Sequence, residues 1–291
     1  MTAAAKLVAG LTRRFAAAGI DSARTDARCL VAFALKVPPV RLRMTPEIEA
    51  DGEAVRRIEE YAARRLKREP VSKILGTRGF WRLEFKVTPD VLDPRPDSET
   101  LIEKVLEYFP DRRSALQILD LGTGSGCLAL SLLSEYPDAS AAGTDVSEKA
   151  LAVAEENARV NGLSGRYRAL QADWTQDGWD QVLGGVSFDI VVSNPPYIGE
   201  SERGELEPEV RLFDPAEALF GGADGLDAYR RLSGVLPSLL KDGGLAVFEF
   251  GRGQHEDVRS ILCRDGLDFA SFGVDLGGII RCVAAVRRKT A

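Results

Sequence analysis

The chain has 291 residues, of which 45% are hydrophobic and 28% charged, fractions typical of globular proteins with a sizeable core. Its net charge of −6 and pI near 5.2 argue against a protein that holds duplex DNA by its phosphates. No stretch approaches the roughly 20 apolar residues of a membrane span. Residues 1–10 lack the pattern of a secretion signal, so we expect a cytoplasmic location.

Length and cysteine spacing set two further expectations. At roughly 150 residues per domain, the chain should form one large and one small domain. The four cysteines have no Cys-x-x-Cys spacing and His255 is the single histidine, so no metal site is predicted.

The N-terminal residues 1–73 are predicted to form a small all-α domain. Apolar residues recur at helical spacing over 3–18, 23–36 and 47–66. Thr45-Pro46 fits an N-cap followed by proline at the first position of the third helix. A basic cluster at 56–68 has the spacing of a solvated helix face.

After the helical domain, the spacing of apolar residues changes from that of a helix to that of a strand. From Trp81 to Val87 apolar and polar residues alternate, which predicts a half-buried strand. We expect it to pair in a β-hairpin within residues 74–95, which joins the helical domain to a second domain at 96–291. Asp97-Ser98-Glu99 predicts the start of a helix that runs to about Phe109.

Residues 96–291 alternate between predicted strands and helices. Strands are expected at 116–121, 141–145, 165–170, 188–193 and 245–250, with helices from Gly126, from Ser147 and near 227–240. This order predicts an α/β fold, a Rossmann-like, doubly wound, mostly parallel sheet with ligands beyond the carboxyl ends of its strands. Residues 269–274 and 279–286 should add a closing antiparallel pair.

The first of these strands ends in a glycine-rich turn, Gly122-Thr123-Gly124-Ser125-Gly126. Glycine lets the backbone turn sharply and approach a ligand closely, although a tight turn without a ligand is the alternative. A dinucleotide fingerprint that starts at Gly122 needs glycine at 127, where this chain has Cys127. With Asp120 two positions before the turn, the run resembles the signature of class I S-adenosylmethionine methyltransferases. The resemblance implies that Asp120 and residues 122–126 bind this cofactor, and an NAD enzyme is the weaker alternative.

Acidic and aromatic residues follow the next two strands. Asp145 can accept hydrogen bonds from both hydroxyls of a ribose, or can cap the helix at Ser147. Asp173 can accept from an exocyclic amine, and Trp174 can offer its face to a flat base or lie in the core. By the same resemblance, this is where such methyltransferases hold adenine.

The fourth strand leads into the turn Asn194-Pro195-Pro196-Tyr197. The prolines remove two backbone donors, and the asparagine before them is pushed to an extended conformation. The Asn194 side-chain oxygen and the Pro195 carbonyl then form a rigid pair of acceptors for the two hydrogens of a planar NH2 group. Tyr197 would pack on the flat group. No general base is evident near the turn, so the proton should leave after methyl transfer, to a nearby acceptor or water. A proline-rich turn without chemistry is the alternative.

Two other segments favour one substrate class. Asn-Pro-Pro-Tyr is found in methyltransferases of adenine in nucleic acid and of protein glutamine. Residues 91–99, Val-Leu-Asp-Pro-Arg-Pro-Asp-Ser-Glu, and 215–227 resemble the family that methylates peptide chain release factors on the N5 nitrogen of glutamine. This resemblance extends from the helical domain to about Gln254. Asp93 and Ser98 depart from the family pattern, in which an aliphatic residue and threonine are common.

The resemblance implies transfer of a methyl group from S-adenosyl-L-methionine, leaving S-adenosyl-L-homocysteine, to the glutamine of the Gly-Gly-Gln loop of class I release factors. The helical domain would help dock the factor. Asn194 to Tyr197 would hold the glutamine, Asn194 would also contact the cofactor, and Arg95 and Glu99 would contact the substrate. A glutamine methyltransferase of a ribosomal protein and an N6-adenine methyltransferase of nucleic acid are the alternatives. The net negative charge and the lack of an evident target-recognition domain argue against the adenine methyltransferase. No stable binding to nucleic acid or membranes is expected.

Overall fold

A computed structural model describes residues 1–45, 47–264 and 266–289. The chain divides into two compact units. Residues 1–77 and 207–213 form the first unit, and residues 78–206 and 214–291 form the second. None of the helices in the described ranges is both long and apolar enough to cross a membrane.

The first unit is mainly helical. Leu11, Phe15, Leu30 and Ile58 lie in its core. The predicted third helix begins at Gly52 rather than at residue 47, because the Asp51 carboxylate accepts the Ala54 N–H at 2.7 Å and caps the helix there. Pro46, part of the predicted cap, lies outside the described residues. The elements of this part of the chain are β1 Thr2–Ala3, α1 Ala4–Ala17, α2 Ala23–Ala34, α3 Arg41–Met44, β2 Glu49–Ala50, α4 Gly52–Leu66 and α5 Val71–Leu75.

A two-stranded sheet follows, formed by β3 (Thr77–Phe80) and β4 (Leu83–Lys86). The predicted strand was expected to begin at Trp81. It begins two residues later because Trp81 has a φ of 53°, which is outside the extended region and places the residue in the turn.

The remaining elements alternate as expected. They are α6 Glu99–Tyr108, β5 Gln117–Leu121, α7 Cys127–Glu135, β6 Ser140–Asp145, α8 Glu148–Val160, β7 Tyr167–Gln171, β8 Phe188–Ser193, α9 Pro208–Phe213, α10 Asp227–Ser233, α11 Leu236–Leu239, β9 Leu240–Glu249, α12 His255–Arg264, β10 Leu267–Val274 and β11 Ile280–Arg287. The predicted helix at 227–240 is divided in two, because Pro237 occupies the first turn of α11.

Seven strands form the main sheet in the order β10-β11-β9-β8-β5-β6-β7. Neighbouring strands from β9 through β7 are parallel, and β11 is antiparallel to both of its neighbours. Alternate residues of β5 face opposite sides: Ile118 joins the core that contains α6 and α7, and Leu119 joins the core that contains α10 and α12. The predicted doubly wound sheet with an antiparallel last strand is confirmed.

The sheet reverses its winding direction between β5 and β8. After β5 the chain adds β6 and β7 on one side, and then returns to add β8 and β9 on the other. Leu121 and Ser193, the last residues of β5 and β8, are paired, and the Ser193 hydroxyl donates to the Leu121 carbonyl at 2.7 Å. The glycine turn and the Asn194 turn therefore start side by side, where ligands bind in such sheets.

Candidate active site

A cavity of about 1150 Å³ lies at these strand ends in the second unit. It exceeds the roughly 300–1,000 Å³ of ordinary small-molecule sites, so a cofactor and a substrate side chain fit together. Its walls come from the segment before α6, the glycine turn, the ends of β6, β7 and β8, and the residues around α10. The predicted site residues among its lining are Arg95, Gly122, Thr123, Gly124, Ser125, Asp145, Asp173, Trp174, Asn194 and Pro196.

The glycine turn needs glycine for two reasons. Gly122, Gly124 and Gly126 have φ values of 70°, 54° and 81°, in the left-handed region that favours glycine. A Cβ atom on Gly122 would also lie 2.9 Å from Cη2 of Trp174, so the indole ring can lie over the turn only if residue 122 lacks a side chain. The backbone of this turn is thereby exposed to a ligand, although Gly126 itself does not line the cavity.

Asp145 connects the turn to β6. Its Oδ2 accepts the Gly124 N–H at 2.9 Å, and its Oδ1 accepts the Ser147 N–H at 3.0 Å. Ser147 caps α8 through its own hydroxyl, which accepts the Ala150 N–H, so Asp145 is not needed as the cap. Burial raises the pKa of Asp145. A carboxylate has about four lone-pair sites, so Asp145 keeps acceptor capacity beyond its backbone hydrogen bonds, which a ribose hydroxyl could use.

Asp120 lies beneath the turn and not in the cavity wall. It is 1% exposed, and its Oδ2 accepts both the Thr123 hydroxyl at 2.7 Å and the Ala129 N–H at 3.2 Å. The Tyr167 hydroxyl lies 3.2 Å from the same threonine hydroxyl. Burial raises the pKa of Asp120 to about 7. A direct contact with the cofactor is not supported by this geometry, and Asp120 acts on the turn through Thr123.

Asp173 and Trp174 both line the cavity. Asp173 accepts from the hydroxyl and the N–H of Thr175 at 2.6 and 2.9 Å, and these hydrogen bonds lower its pKa. Trp174 packs against the core on one side, and its carbonyl accepts from Arg231 at 2.7 Å. Trp174 therefore fits both interpretations that the sequence left open, because one face contacts the core and the residue also lines the cavity where a base could bind.

The Asn194 turn is enclosed by the second segment that the sequence singled out. The Ile198 N–H donates to the Leu219 carbonyl at 2.9 Å, and the Gly221 N–H donates back to Ile198 at 3.0 Å. A Cβ atom on Gly221 would collide with the Pro196 carbonyl, and one on Gly225 with the Tyr197 carbonyl. The glycines at 221–225 thus let one backbone lie directly against the other and hold the turn.

Three residues of the predicted substrate site do not line the cavity. Pro195 is buried, and Tyr197 packs against the core with its hydroxyl 3.5 Å from Glu249 Oε1. Glu99 accepts the Trp81 N–H at 2.8 Å. Because the Tyr197 ring packs against the core and Glu99 Oε1 accepts from Trp81, neither residue lines the cavity, and their substrate contacts stay predictions.

Arg95 does line the cavity, where it is held by a buried partner. Its Nη2 donates to Asp214 Oδ2 at 2.7 Å, and the Asp214 side chain is fully buried. A guanidinium group has five N–H donors, so Arg95 can hold this carboxylate and still donate to a substrate.

Comparison with known proteins identifies the family. Residues 6–76 match the PrmC N-terminal domain, and residues 96–218 match the methyltransferase small domain. The release factor glutamine methyltransferase of Rhodospirillum rubrum is 45% identical over 278 residues, which cover 94% of this chain and 82% of the relative. The protein of the same name from Cereibacter sphaeroides is 44% identical, with 94% of both chains covered. The chain belongs to the release factor glutamine methyltransferase family. A methyltransferase from Pyrococcus furiosus, 17% identical over 79% of this chain and 99% of its own with a TM-score of 0.51, shares the fold.

Membership in this methyltransferase family implies S-adenosylmethionine as cofactor, and the cavity residues fit it. The left-handed glycines expose backbone that a side chain would cover. Asp145 offers carboxylate lone pairs to hydroxyls, and the Trp174 ring offers a flat apolar face. No cluster of His, Cys, Asp or Glu among the described residues could hold a metal ion.

Glu249 is a residue of this site that the sequence analysis missed. It is the last residue of β9, beside β8, and it is 1% exposed. Burial raises its pKa to about 7, against the opposing effect of the Ser98 hydroxyl. The expectation that no general base is evident near the turn was made without considering this acid, and it stays a prediction. An acid at a parallel strand's carboxyl end was the available signal, the same one that identified Asp145.

Proposed function

We propose that the chain transfers a methyl group from S-adenosylmethionine to the side-chain amide nitrogen of the glutamine in the Gly-Gly-Gln loop of class I peptide chain release factors. The observation that carries this proposal is the pairing of the last residues of β5 and β8, after which the glycine turn and the Asn194-Pro195-Pro196-Tyr197 turn begin side by side at one cavity. We also propose a cytoplasmic location, where release factors act.

The cofactor, when bound, supplies an electrophilic methyl group on its sulfonium. The backbone of Gly122 to Ser125 seats it, Asp145 accepts from its ribose hydroxyls and Trp174 stacks on its base. We assign the Asn194 Oδ1 atom, which accepts no hydrogen bond from any residue within the described ranges, to one N–H of the substrate amide. The Pro195 carbonyl, predicted from the sequence as the acceptor for the other N–H, belongs to a buried residue that does not line the cavity, so Asn194 Oδ1 is the one acceptor that this proposal assigns.

Positioning supplies most of the rate enhancement in this proposal. An amide nitrogen is a weak nucleophile because its lone pair is delocalised into the carbonyl. A fixed acceptor at Asn194 would hold the NH2 group with its lone pair toward the methyl group, and positioning of this kind can contribute about 7–11 kcal/mol. The same acceptor would stabilise the positive charge that develops on nitrogen.

The helical unit is proposed to dock the release factor, in line with the boundaries predicted at 1–73 for docking, 74–95 for the linker and 96–291 for catalysis. Four of the five arginines at 56–68 are paired with acidic side chains, which leaves Arg56 as the one without an ion pair in the described structure. Arg57 pairs with Glu53, Arg64 with Glu69, and Arg65 and Arg68 with Glu209. This pairing favours a protein partner over nucleic acid, because nucleic-acid binding relies on uncompensated cations.

The test is to locate transferred label. The purified chain is incubated with methyl-labelled S-adenosylmethionine and, separately, an unmodified release factor, its loop Gln→Ala variant, ribosomal proteins, and DNA. We expect label on the loop glutamine and none on the variant. Label confined to ribosomal protein or to DNA would overturn the choice of substrate and favour one of the two alternatives.

A further inference from the structure

Gln254 joins three backbone segments, one of which is the Asn194 turn. It directly precedes α12, and its side-chain Nε2 donates to the Tyr197 carbonyl at 3.0 Å and to the Asp224 carbonyl at 3.4 Å. Its Oε1 accepts the Gly251 N–H at 2.8 Å. One side chain therefore connects the end of the turn, the glycine segment that encloses the turn and the residues that follow β9.

The turn has few other groups by which a neighbour can hold it. Its two prolines lack an N–H group. Of the carbonyls at 195–197, only that of Tyr197 accepts a hydrogen bond from a residue in the described ranges, and the donor is Gln254. A Cβ atom on Gly225 would collide with the Tyr197 carbonyl and lie 2.8 Å from Gln254 Nε2, so the contact requires glycine there.

The orientation of the Gln254 amide follows from its partners. The Gly251 N–H can only donate, and the two carbonyls can only accept. A flipped amide would place its oxygen against two carbonyls and its NH2 group against an N–H. The observed orientation satisfies all three partners, and neither a carboxylate nor an apolar side chain of the same length can do so.

We propose that Gln254 is a positioning residue for methyl transfer, which anchors the Tyr197 end of the turn and thereby holds the Asn194 side chain in place at the cavity. Gln254 itself does not line the cavity, so it acts through the turn and not on the reacting atoms. The identity of the methyl acceptor as a glutamine amide rests on the proposed function. The anchoring of the turn does not, since it involves only groups within this chain.

Two substitutions separate the donor of this amide from its acceptor. Gln254→Met removes both at nearly constant length. Gln254→Glu keeps an oxygen for the Gly251 N–H but replaces the NH2 group by a second oxygen that faces the two carbonyls. A displacement of about 1 Å in a reacting complex can cost about 100-fold in rate, so loss of the donor should be visible in turnover.

A first experiment follows amide hydrogen exchange by NMR without any substrate. The Ile198 and Gly221 N–H groups, which bond the turn to the glycine segment, should exchange faster in both variants because the turn has lost its anchor. The Gly251 N–H should lose protection in Gln254→Met and keep it in Gln254→Glu. The Thr123 N–H of the glycine turn should be unaffected. Unchanged exchange at Ile198 and Gly221 in either variant overturns the proposal, and each variant serves if the other does not fold.

A second experiment separates turnover from cofactor binding. We expect kcat to fall about tenfold in Gln254→Met and further in Gln254→Glu, with a cofactor Kd, measured by calorimetry, within about twofold of the wild type. The matched control is Gln117→Glu at the opposite end of β5, where the Gln117 Oε1 accepts the Ser140 hydroxyl at 3.1 Å outside the cavity. Its kcat should equal that of the wild type. A wild-type kcat in Gln254→Met, or an equal loss of cofactor affinity, overturns the proposal.

The pH dependence of Gln254→Glu tests the donor directly. A protonated carboxyl group can donate to the Tyr197 carbonyl while its other oxygen accepts the Gly251 N–H, which restores the arrangement that glutamine makes. The ratio of its kcat to that of the wild type should therefore rise as pH falls from about 8 to about 5, since a carboxyl group that faces carbonyls is protonated at higher pH than a free one. The ratio for Gln254→Met should stay constant.

The ratio removes the titration of groups that the wild type also carries. On the segments that Gln254 joins, these groups are Tyr197, Asp224, Glu249, Arg252 and His255. A ratio for Gln254→Glu that does not rise as pH falls overturns the assignment of the donor. If the wild type methylates no release factor, the proposed function fails, and the exchange experiment still decides whether Gln254 anchors the turn.

Discussion

Asn194 directly follows the last residue of β8 and lines the same cavity as Gly122. Asn194→Ala removes an acceptor for the substrate without touching the glycine turn. We expect turnover to fall by about 100-fold or more, as for other single groups that stabilise developing charge. Cofactor affinity, measured by calorimetry, should stay largely unchanged.

A matched control for this change is Asn161→Ala. It removes the same amide group from the end of α8, where Asn161 donates to the Glu84 and Asn157 carbonyls outside the cavity. Turnover of this control should match the wild type. Unchanged turnover in Asn194→Ala would refute the catalytic role of the turn.

Gly122 permits a test of the contact between the glycine turn and Trp174. Gly122→Ala adds backbone strain at a φ of 70° and a Cβ only 2.9 Å from the indole ring. Gly162→Ala adds the same strain at a φ of 71° in open space outside the cavity. Each should lose about 1–2 kcal/mol of stability. Only Gly122→Ala should also weaken cofactor binding, by moving the ring, and equal affinities in the two variants would argue against this contact.

Asp120 should make stability depend on pH. Burial raises its folded-state pKa from 3.8 to about 7, so between these values the folded state binds more protons than the unfolded state. Stability attributable to this group is therefore lost as pH rises from about 4 to 7. In Asp120→Asn this loss is absent, and one amide oxygen can still accept from both Thr123 and Ala129, as Oδ2 does now.

Thermal unfolding measured across this pH range checks the sign. Asp120→Asn should gain melting temperature relative to the wild type above pH 7, and the gain should vanish near pH 4, where both states of the wild type are protonated. Asp138→Asn, which removes a half-exposed carboxylate, controls for the Asp→Asn substitution itself. A constant difference at all pH values would contradict the assigned pKa.

Among the secondary-structure elements, those whose conformation depends mainly on their own residues were predicted correctly from the sequence pattern. The β-branched run of β8 was placed at 188–193, as observed, because a buried parallel strand needs little beyond its own residues. The strand β4 begins two residues after the predicted start at Trp81, because Trp81 adopts a left-handed φ while its N–H donates to Glu99. That interaction joins residues 18 positions apart, which neither alternation nor propensity encodes.

The site was predictable where chain order alone brings residues together. Strand ends in a doubly wound sheet converge, so Asp145, Trp174 and Asn194 could be assigned to one cavity. Which way a side chain points from such an end depends on packing. Asp120 lies beneath the glycine turn, Glu99 accepts from Trp81 and Tyr197 packs against the core, and the sequence pattern shows none of these placements.

The short helix α9 is an element whose place the sequence did not predict. It belongs to the first unit, where Glu209 accepts from Arg65 at 2.9 Å and from Arg68 at 2.8 Å. Glu209→Gln leaves one acceptor for two guanidinium groups, and Arg65 is only 5% exposed. We expect a loss of about 1–3 kcal/mol, the cost of a buried donor left unpaired.

Hydrogen exchange locates this loss. Amides of α1, α2 and α4 should exchange faster in Glu209→Gln, while those of the main sheet keep their protection. The control Glu200→Gln removes an ion pair to Arg203 in which both side chains are about half exposed, and such pairs contribute about 0–1 kcal/mol. Equal exchange in the two variants would show that Glu209 does not hold α9 in the first unit.

For the whole molecule, the division into two units predicts how substrate size affects catalysis. If the helical unit docks the release factor while the second unit methylates its loop, the loop enters the cavity as part of a molecule that is already bound. Its effective concentration then rises, and avidity of this kind amounts to about 100- to 10,000-fold. We therefore expect kcat/KM for the intact factor to exceed that for a free Gly-Gly-Gln peptide by a factor in this range.

Steady-state kinetics on the two substrates separates docking from chemistry. The higher kcat/KM of the intact factor should come from a lower KM, with similar kcat values for the two substrates. The reason is that docking would leave the proposed contact of Asn194 with the reacting amide unchanged. A peptide with Gln→Ala should accept no methyl group. Equal KM values for peptide and factor would remove the docking role from the helical unit, whereas a lower kcat for the peptide alone would mean that binding of the whole factor helps to align the amide at Asn194.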